Sequence, residues 1–182
     1  MKKIIASLLL ALLLALSLTG CSSSDKDTVI YPNNDGLAKG QLGDTLRNSF
    51  FDFKVNSAYL TDKYEGYTAM EGYEFLVAEV TVKNIFGESI IMYDTDFQVQ
   101  WSSDAEDAYD WPITLYLAEG ENLGNDVLPA EYDLTKDESC TGLLVYEVPM
   151  GEQEFSIAYQ EIFEDESVGN IFFVNFTAAH KQ

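Results

Sequence analysis

From Gly43 onward, apolar and polar residues alternate with a period of two, the spacing of strands with one buried face. Phe51, Phe53, Val55 and Tyr59 stand against Asp52, Lys54 and Asn56, which predicts a first strand. Leu76, Ala78, Val80 and Val82 against Phe75, Val77, Glu79 and Thr81 predict a second, longer one. Shorter strands are expected at 89–93 and 97–101, separated by the turn-like Asp94-Thr95-Asp96. Three more follow: Thr141 to Val148, closed by Pro149; Phe155 to Tyr159; and Ile171 to Phe176, apolar on both sides. No window of helical length carries an apolar stripe, and only Gln160 to Glu166 offers room for one turn. Seven or eight short strands with turn signals between them predict an all-β fold, an antiparallel β-sandwich.

The N-terminus follows another pattern. Lys2 and Lys3 precede an apolar run from Ile4 to Leu18, broken only by Ser7 and Ser17, and Leu18-Thr19-Gly20-Cys21 comes next. A basic start, a short apolar stretch and small residues before a cut site describe a secretory signal. The run is shorter than the ~20 residues a spanning helix needs. Leu-x-Gly-Cys resembles the lipobox of bacterial lipoproteins. That resemblance implies a diacylglyceryl group on the Cys21 sulfur and cleavage that makes Cys21 the new N-terminus. Each buried acyl CH₂ contributes ~0.8 kcal/mol, so two or three chains hold a soluble domain on a membrane. The organisation expected is a signal peptide over 1–20, a lipidated, disordered tether over 21–41 and one domain over 42–182. The tether reading rests on Ser22-Ser23-Ser24-Asp25-Lys26 and Asn33-Asn34-Asp35-Gly36, which are polar and turn-prone.

Within the domain, Gly72-Tyr73-Glu74-Phe75-Leu76-Val77-Ala78-Glu79-Val80-Thr81-Val82-Lys83-Asn84 resembles the central strand of an Ig-like domain of unknown function. That domain is common in Gram-positive surface lipoproteins, where the strand ends in V-x-V-x-N. Gly142-Leu143-Leu144-Val145-Tyr146-Glu147-Val148-Pro149 is similar to the same family's G-x-L-V-F-E-V-P strand. With Gly43-Asp44-Thr45 and Phe53-x-Val55, the resemblance covers roughly 43–178. It implies an Ig-like sandwich on the cell surface and no catalytic residues. The chain departs from it in a long acidic segment between Trp101 and Leu128, where a hairpin is expected, and again at Gln160 to Gly169.

Charge narrows the partners. The chain carries 31 Asp and Glu against 10 Lys and Arg, a net charge of -21. Nucleic acid and anionic lipid surfaces both demand clustered bases, so neither is an electrostatic partner. The acids are uneven: residues 101–170 hold 18 of them and one base, Lys136. With 47% apolar and 13% aromatic residues, the chain can still build a core.

Candidate chemistry is sparse. The two cysteines are Cys21 and Cys140; with Cys21 lipidated, Cys140 has no partner and reads as a small apolar strand residue. The one histidine, His180, lies two residues from the end and reads as a frayed terminal residue. Triads and multi-histidine metal sites therefore lack their usual members. Nucleotide-binding glycine loops are also missing. Asp104, Glu106, Asp107 and Asp110 offer oxygen ligands within seven residues and are a weak calcium candidate, although the alternating loop frame is absent. Solvated acidic loops are the plainer reading there and at Asp94 and Asp96. Tyr109, Trp111 and Tyr116, on the same acidic stretch, suit sugar or peptide recognition because rings stack and carboxylates accept hydroxyl bonds. The function expected is a non-catalytic binding module, lipid-anchored through Cys21 on the extracellular face of the membrane and facing an extracellular protein or glycan. A passive acidic envelope component with weak cation binding is the alternative, and a carboxylate-based hydrolase a distant one. No cofactor is expected beyond weak calcium.

Overall fold

A computed structural model describes residues 28–101 and 108–181. The signal peptide, Cys21, the first part of the tether and Asp104, Glu106 and Asp107 lie outside the described residues. In chain order the strands are β1 (Val29–Ile30), β2 (Leu37–Gln41), β3 (Thr45–Arg47), β4 (Phe51–Thr61), β5 (Lys63–Tyr64), β6 (Tyr67–Thr68) and β7 (Tyr73–Asn84). There follow β8 (Ile90–Tyr93), β9 (Gln98–Trp101), β10 (Tyr109–Asp110), β11 (Glu131–Leu134), β12 (Ser139–Pro149), β13 (Glu154–Ile162) and β14 (Val168–Thr177). Two single 3-10 turns, Asp94–Asp96 and Ile113–Tyr116, are the helical elements among the described residues.

Two five-stranded sheets face each other, ordered β1-β3-β4-β7-β12 and β10-β9-β13-β14-β2. Strands β4, β7 and β12 take the places of A, B and E of an immunoglobulin sandwich, and β9, β13 and β14 those of C, F and G. The fold is thus an all-β sandwich with Ig-like strand order. The alternation explains the layers: Leu76, Ala78, Val80 and Val82 face inward to meet Leu144, Tyr146 and Val148, all fully buried. Phe51, Phe53, Phe97, Tyr159 and Phe172 fill the middle with edge-on and tilted ring contacts 4.7–6.4 Å apart. Burying each such side chain contributes about 1.5–3 kcal/mol.

Both family-like motifs have physical reasons in this packing. Val80 and Val82 lead to Asn84, which is buried where the strand ends. Its amide donates to the carbonyls of Glu88 and Leu134 and accepts from the Phe86 N–H, so one side chain satisfies the turning backbone. Gly142 stands where a Cβ would come within 2.9 Å of the Leu128 backbone nitrogen, which leaves room only for glycine. The Tyr146 hydroxyl, fully enclosed, donates to the Phe97 carbonyl across the core.

The domain begins earlier than residue 42. Val29–Ile30 pairs in parallel with β3, and Leu37–Gln41 pairs in parallel with β14, so this segment edges both sheets in turn. Ala38 and Gly40 are buried there, a contribution that a tether would not make. Residues 28–41 therefore belong to the sandwich and correct the tether boundary. The turn expected over Gln160 to Glu166 is likewise corrected: β13 runs on to Ile162, and the chain then reverses into β14.

That reversal hangs on Glu161, which is 0% exposed. Its carboxylate accepts the Ser49 N–H from the first sheet and the Asn170 N–H and side-chain amide from the second, at 2.7–2.9 Å. Burial pushes this carboxyl up, but the hydrogen bonds outweigh it and hold the group below its ordinary 4.5. Gly169 has no side chain because a Cβ there would strike Glu161 at 2.7 Å. Glu161→Gln should cost about 1.5–3 kcal/mol at pH 7, the range for hydrogen bonds to a charged group. A depressed folded value means the stabilisation is full above 4.5 and is lost as pH falls through the folded value. Urea unfolding should therefore show the gap between the two proteins closing as the medium is acidified.

Candidate functional site

The described part of the acidic segment, residues 108–128, covers the outer face of the first sheet rather than extending from the sandwich. The first half of β7 is apolar on both sides, and its outward residues Phe75 and Val77 need a cover. Ile113, Leu123, Leu117 and Val127 supply it together with Val145 and the β5–β6 hairpin's Tyr64 and Tyr67, forming a second apolar cluster. The segment is stitched down by backbone bonds: Leu128 N–H to the Leu143 carbonyl and Leu143 N–H to the Asp126 carbonyl. At its other end the Thr114 hydroxyl donates to Asp94. Asp94 is buried and Asp96 half-buried, so neither is the solvated loop acid that the sequence suggested. Burial pushes both carboxyls above their ordinary range. Asp96 also accepts the Tyr93 N–H at 2.8 Å.

The three aromatic candidates come together at one edge. Tyr109 and Trp111 meet edge-to-face at 5.3 Å, and the Tyr116 hydroxyl donates to Asp110 at 2.9 Å. The same Asp110 oxygen accepts the Trp111 N–H, so this acid serves the local loop. Tyr109 is 41% exposed and Tyr116 62% exposed, with Trp111 half-buried between them. Asp110 is the one member of the acidic quartet among the described residues.

Register adds a surface that the sequence did not reveal. Tyr109 lies opposite Gln100, Gln100 opposite Ser156, Ser156 opposite Asn175, and Asn175 opposite Gln41. Directly paired residues share a face, so these five form one row across the outside of the second sheet. At a strand spacing of about 4.8 Å the row is about 19 Å long. Gln41, Gln100, Ser156 and Asn175 of this row floor a trough of ≈ 660 Å³, which Trp101, Leu42, Glu154 and Thr177 also line, and Tyr109 extends the row past its lining. In so acidic a chain, Glu154 is the only charged residue among the described residues that line the trough. The Gln100 amide donates to Gln98 and that of Asn175 to the Gly40 carbonyl, which orients both head groups on the outer face.

His180 is not frayed. Leu60 donates to the Ala179 carbonyl and accepts from the Lys181 N–H, so the C-terminal segment lies alongside the end of β4. The Lys181 ammonium sits 4.5 Å over the Tyr59 ring. This alignment places the His180 Nε2 3.0 Å from the buried Glu74 carboxylate. Cys140 is half-buried against the main core, and burial pushes its thiol up, which disfavours the nucleophilic thiolate.

Strand order and packing together define an all-β sandwich. Residues 40–168 match the model of a domain of unknown function, DUF4352, and the chain belongs to that family. No curated protein matches the chain. Among solved structures it is similar to the ycdA protein of Bacillus subtilis, described as a presumptive lipoprotein, with 15% identity and a TM-score of 0.52. That match covers 74% of this chain and 38% of the other, so this chain spans well under half of that protein. It is also similar to a presumptive lipoprotein of Staphylococcus aureus, at 12% identity and TM-score 0.49, covering 78% of this chain and 94% of that one. The yjhA protein of Bacillus subtilis gives 17% identity and TM-score 0.48, over 74% and 98% of the two chains.

The Asp94 contact gives a test of how the cover is held. Thr114→Val removes one donor from a buried carboxyl and should cost about 1–3 kcal/mol. Amide exchange should quicken across 109–128 more than in β12 if Thr114 anchors the cover. Equal protection in both proteins would assign the anchoring to the Leu128–Leu143 bonds alone.

Proposed function

We propose that this protein is a non-catalytic module that binds a neutral glycan along the outer face of its second sheet. The observation that carries the reading is the five-residue row of Tyr109, Gln100, Ser156, Asn175 and Gln41. Amides and hydroxyls offer donors and acceptors in alternation, as a polyol requires, and they avoid the desolvation cost of charges. The exposed Tyr109 ring at one end, braced by Trp111, gives a sugar ring an apolar face to stack on. A trough of ≈ 660 Å³ is in the range of small-ligand sites, and a row of about 19 Å suits several linked sugar units. An acidic peptide would meet a chain of the same charge sign, which disfavours it.

The module is held at a membrane through lipid on Cys21. The Leu18-Thr19-Gly20-Cys21 motif supports this, and the presumptive lipoprotein description of the ycdA relative agrees with it. Cys21→Ala should then release the protein from membranes into the medium, read by fractionation. Continued sedimentation with membranes would count against the anchor.

Glycan binding is tested with the purified full chain against immobilised neutral oligosaccharides and purified cell-wall polysaccharide. At least one should retain it, and Tyr109→Ala or Asn175→Ala should each weaken retention about tenfold or more, consistent with ~1–3 kcal/mol of stacking or hydrogen bonding. Both side chains are on the surface, so the melting temperature should be unchanged. Retention by neither probe, or equal retention of both variants, would sink the reading.

A further inference from the structure

The acids of this chain lie mostly at its surface, and Glu74 is one of the exceptions. It sits on the second residue of β7 and is 1% exposed. One oxygen, Oε1, accepts the Gly151 N–H at 2.9 Å, which fixes the plane and direction of the carboxylate. The other, Oε2, receives no hydrogen bond at all. A buried carboxylate oxygen without a donor carries a large desolvation penalty, so a partner of positive charge is expected in front of it.

Two side chains are already aimed there. The His180 Nε2 stands 3.0 Å from Oε2, yet without the alignment a hydrogen bond needs. Asp62, one residue past the end of β4, brings a third ligand atom, and all three atoms lie within 4.8 Å of one another. Two ligands on one ion with bonds of about 2.0–2.2 Å stand about 3–3.5 Å apart, so an imidazole nitrogen and a carboxylate oxygen at 3.0 Å fit a shared ion better than a misaligned hydrogen bond. Three separate parts of the chain supply these atoms, and backbone bonds hold the histidine in place.

We propose that Asp62, Glu74 and His180 bind one divalent transition-metal ion of the zinc class. Imidazole with two carboxylates is a nitrogen and oxygen set suited to zinc and its neighbours, whereas calcium takes six to eight oxygens. The Gly151 N–H on Oε1 is the outer contact that orients the buried ligand. Asp62 and His180 are exposed, so the ion enters from solvent and water completes its coordination. Bound there, it clamps the C-terminal segment to the ends of β4 and β7. The site is independent of the glycan face.

The test is zinc titration of the metal-free full chain by calorimetry and by thermal melting, in physiological salt with millimolar calcium to occupy weak acidic sites. One equivalent should bind saturably and raise the melting temperature. His180→Ala and Asp62→Asn, both at the surface, should keep the metal-free melting temperature while weakening zinc binding at least tenfold. Glu74→Gln should abolish it, and because that change is buried, the two surface variants carry the decision. No saturable binding, or binding undiminished in His180→Ala, overturns the proposal; in the second case the ion lies elsewhere on the acidic surface.

Discussion

The structure turns on one strand with two apolar faces. In β7, Leu76, Ala78, Val80 and Val82 point into the sandwich while Phe75 and Val77 point away from it, and all are buried. A strand of that kind cannot be an outer layer, because its outward face would leave a large apolar patch in water. The second sheet covers one side. The segment from Tyr109 to Leu128 must cover the other, and its scattered Ile113, Leu117, Leu123 and Val127 suffice for that. The acids of the segment then have no route but outward. The cover is therefore thin, apolar beneath and acidic above, with Glu119, Glu121 and Asp126 all exposed.

The alternation made the long strands legible, since β4 and β13 keep a period of two over most of their length, β7 keeps it through its second half, and β12 and β14 read as apolar runs of strand length. The missed parts are those whose stability comes from distant partners. Val29–Ile30 and Leu37–Gln41 are too short to carry a pattern, and they exist as strands because β3 and β14 offer them open edges. Parallel pairing across so long a span of sequence leaves no local signature. The same holds for the outer row of the second sheet. Gln41, Gln100, Ser156 and Asn175 are ordinary polar alternates in their own strands, and only the register aligns them. Tyr109, Trp111 and Tyr116 could be singled out as aromatics in an acidic stretch, but their position at the end of that row could not.

Buried acids tell a similar story. Glu74, Asp94 and Glu161 are indistinguishable in sequence from their exposed neighbours, yet each is enclosed. Enclosed carboxylates are tolerated only where donors or cations meet them. For Glu161 the donors are three N–H groups from two sheets, and for Asp94 a hydroxyl from the cover. His180 is held for the same reason: proximity to a terminus says little when the last residues run beside an existing strand and complete its hydrogen bonds.

The end of β14 links the two surfaces. Thr177 lines the trough, and the chain continues through Ala178, whose N–H donates to the Gln153 carbonyl, and Ala179 to His180. The residues that position the histidine against Glu74 therefore also fix the last turn of strand beneath the polar row. On the opposite margin β2, itself added from the N-terminal segment, contributes Gln41 to the same floor. Residues 28–41 and 178–181 are thus both used as structure. A row assembled from five strands keeps its spacing only if the outermost strands are held, and here one is held by parallel pairing and the other by the pairing of β10 with β9. Rigidity at the margins is what keeps the uncharged groups of the row at fixed spacing, so that their order across the sheet is a property of the fold and not of any one strand.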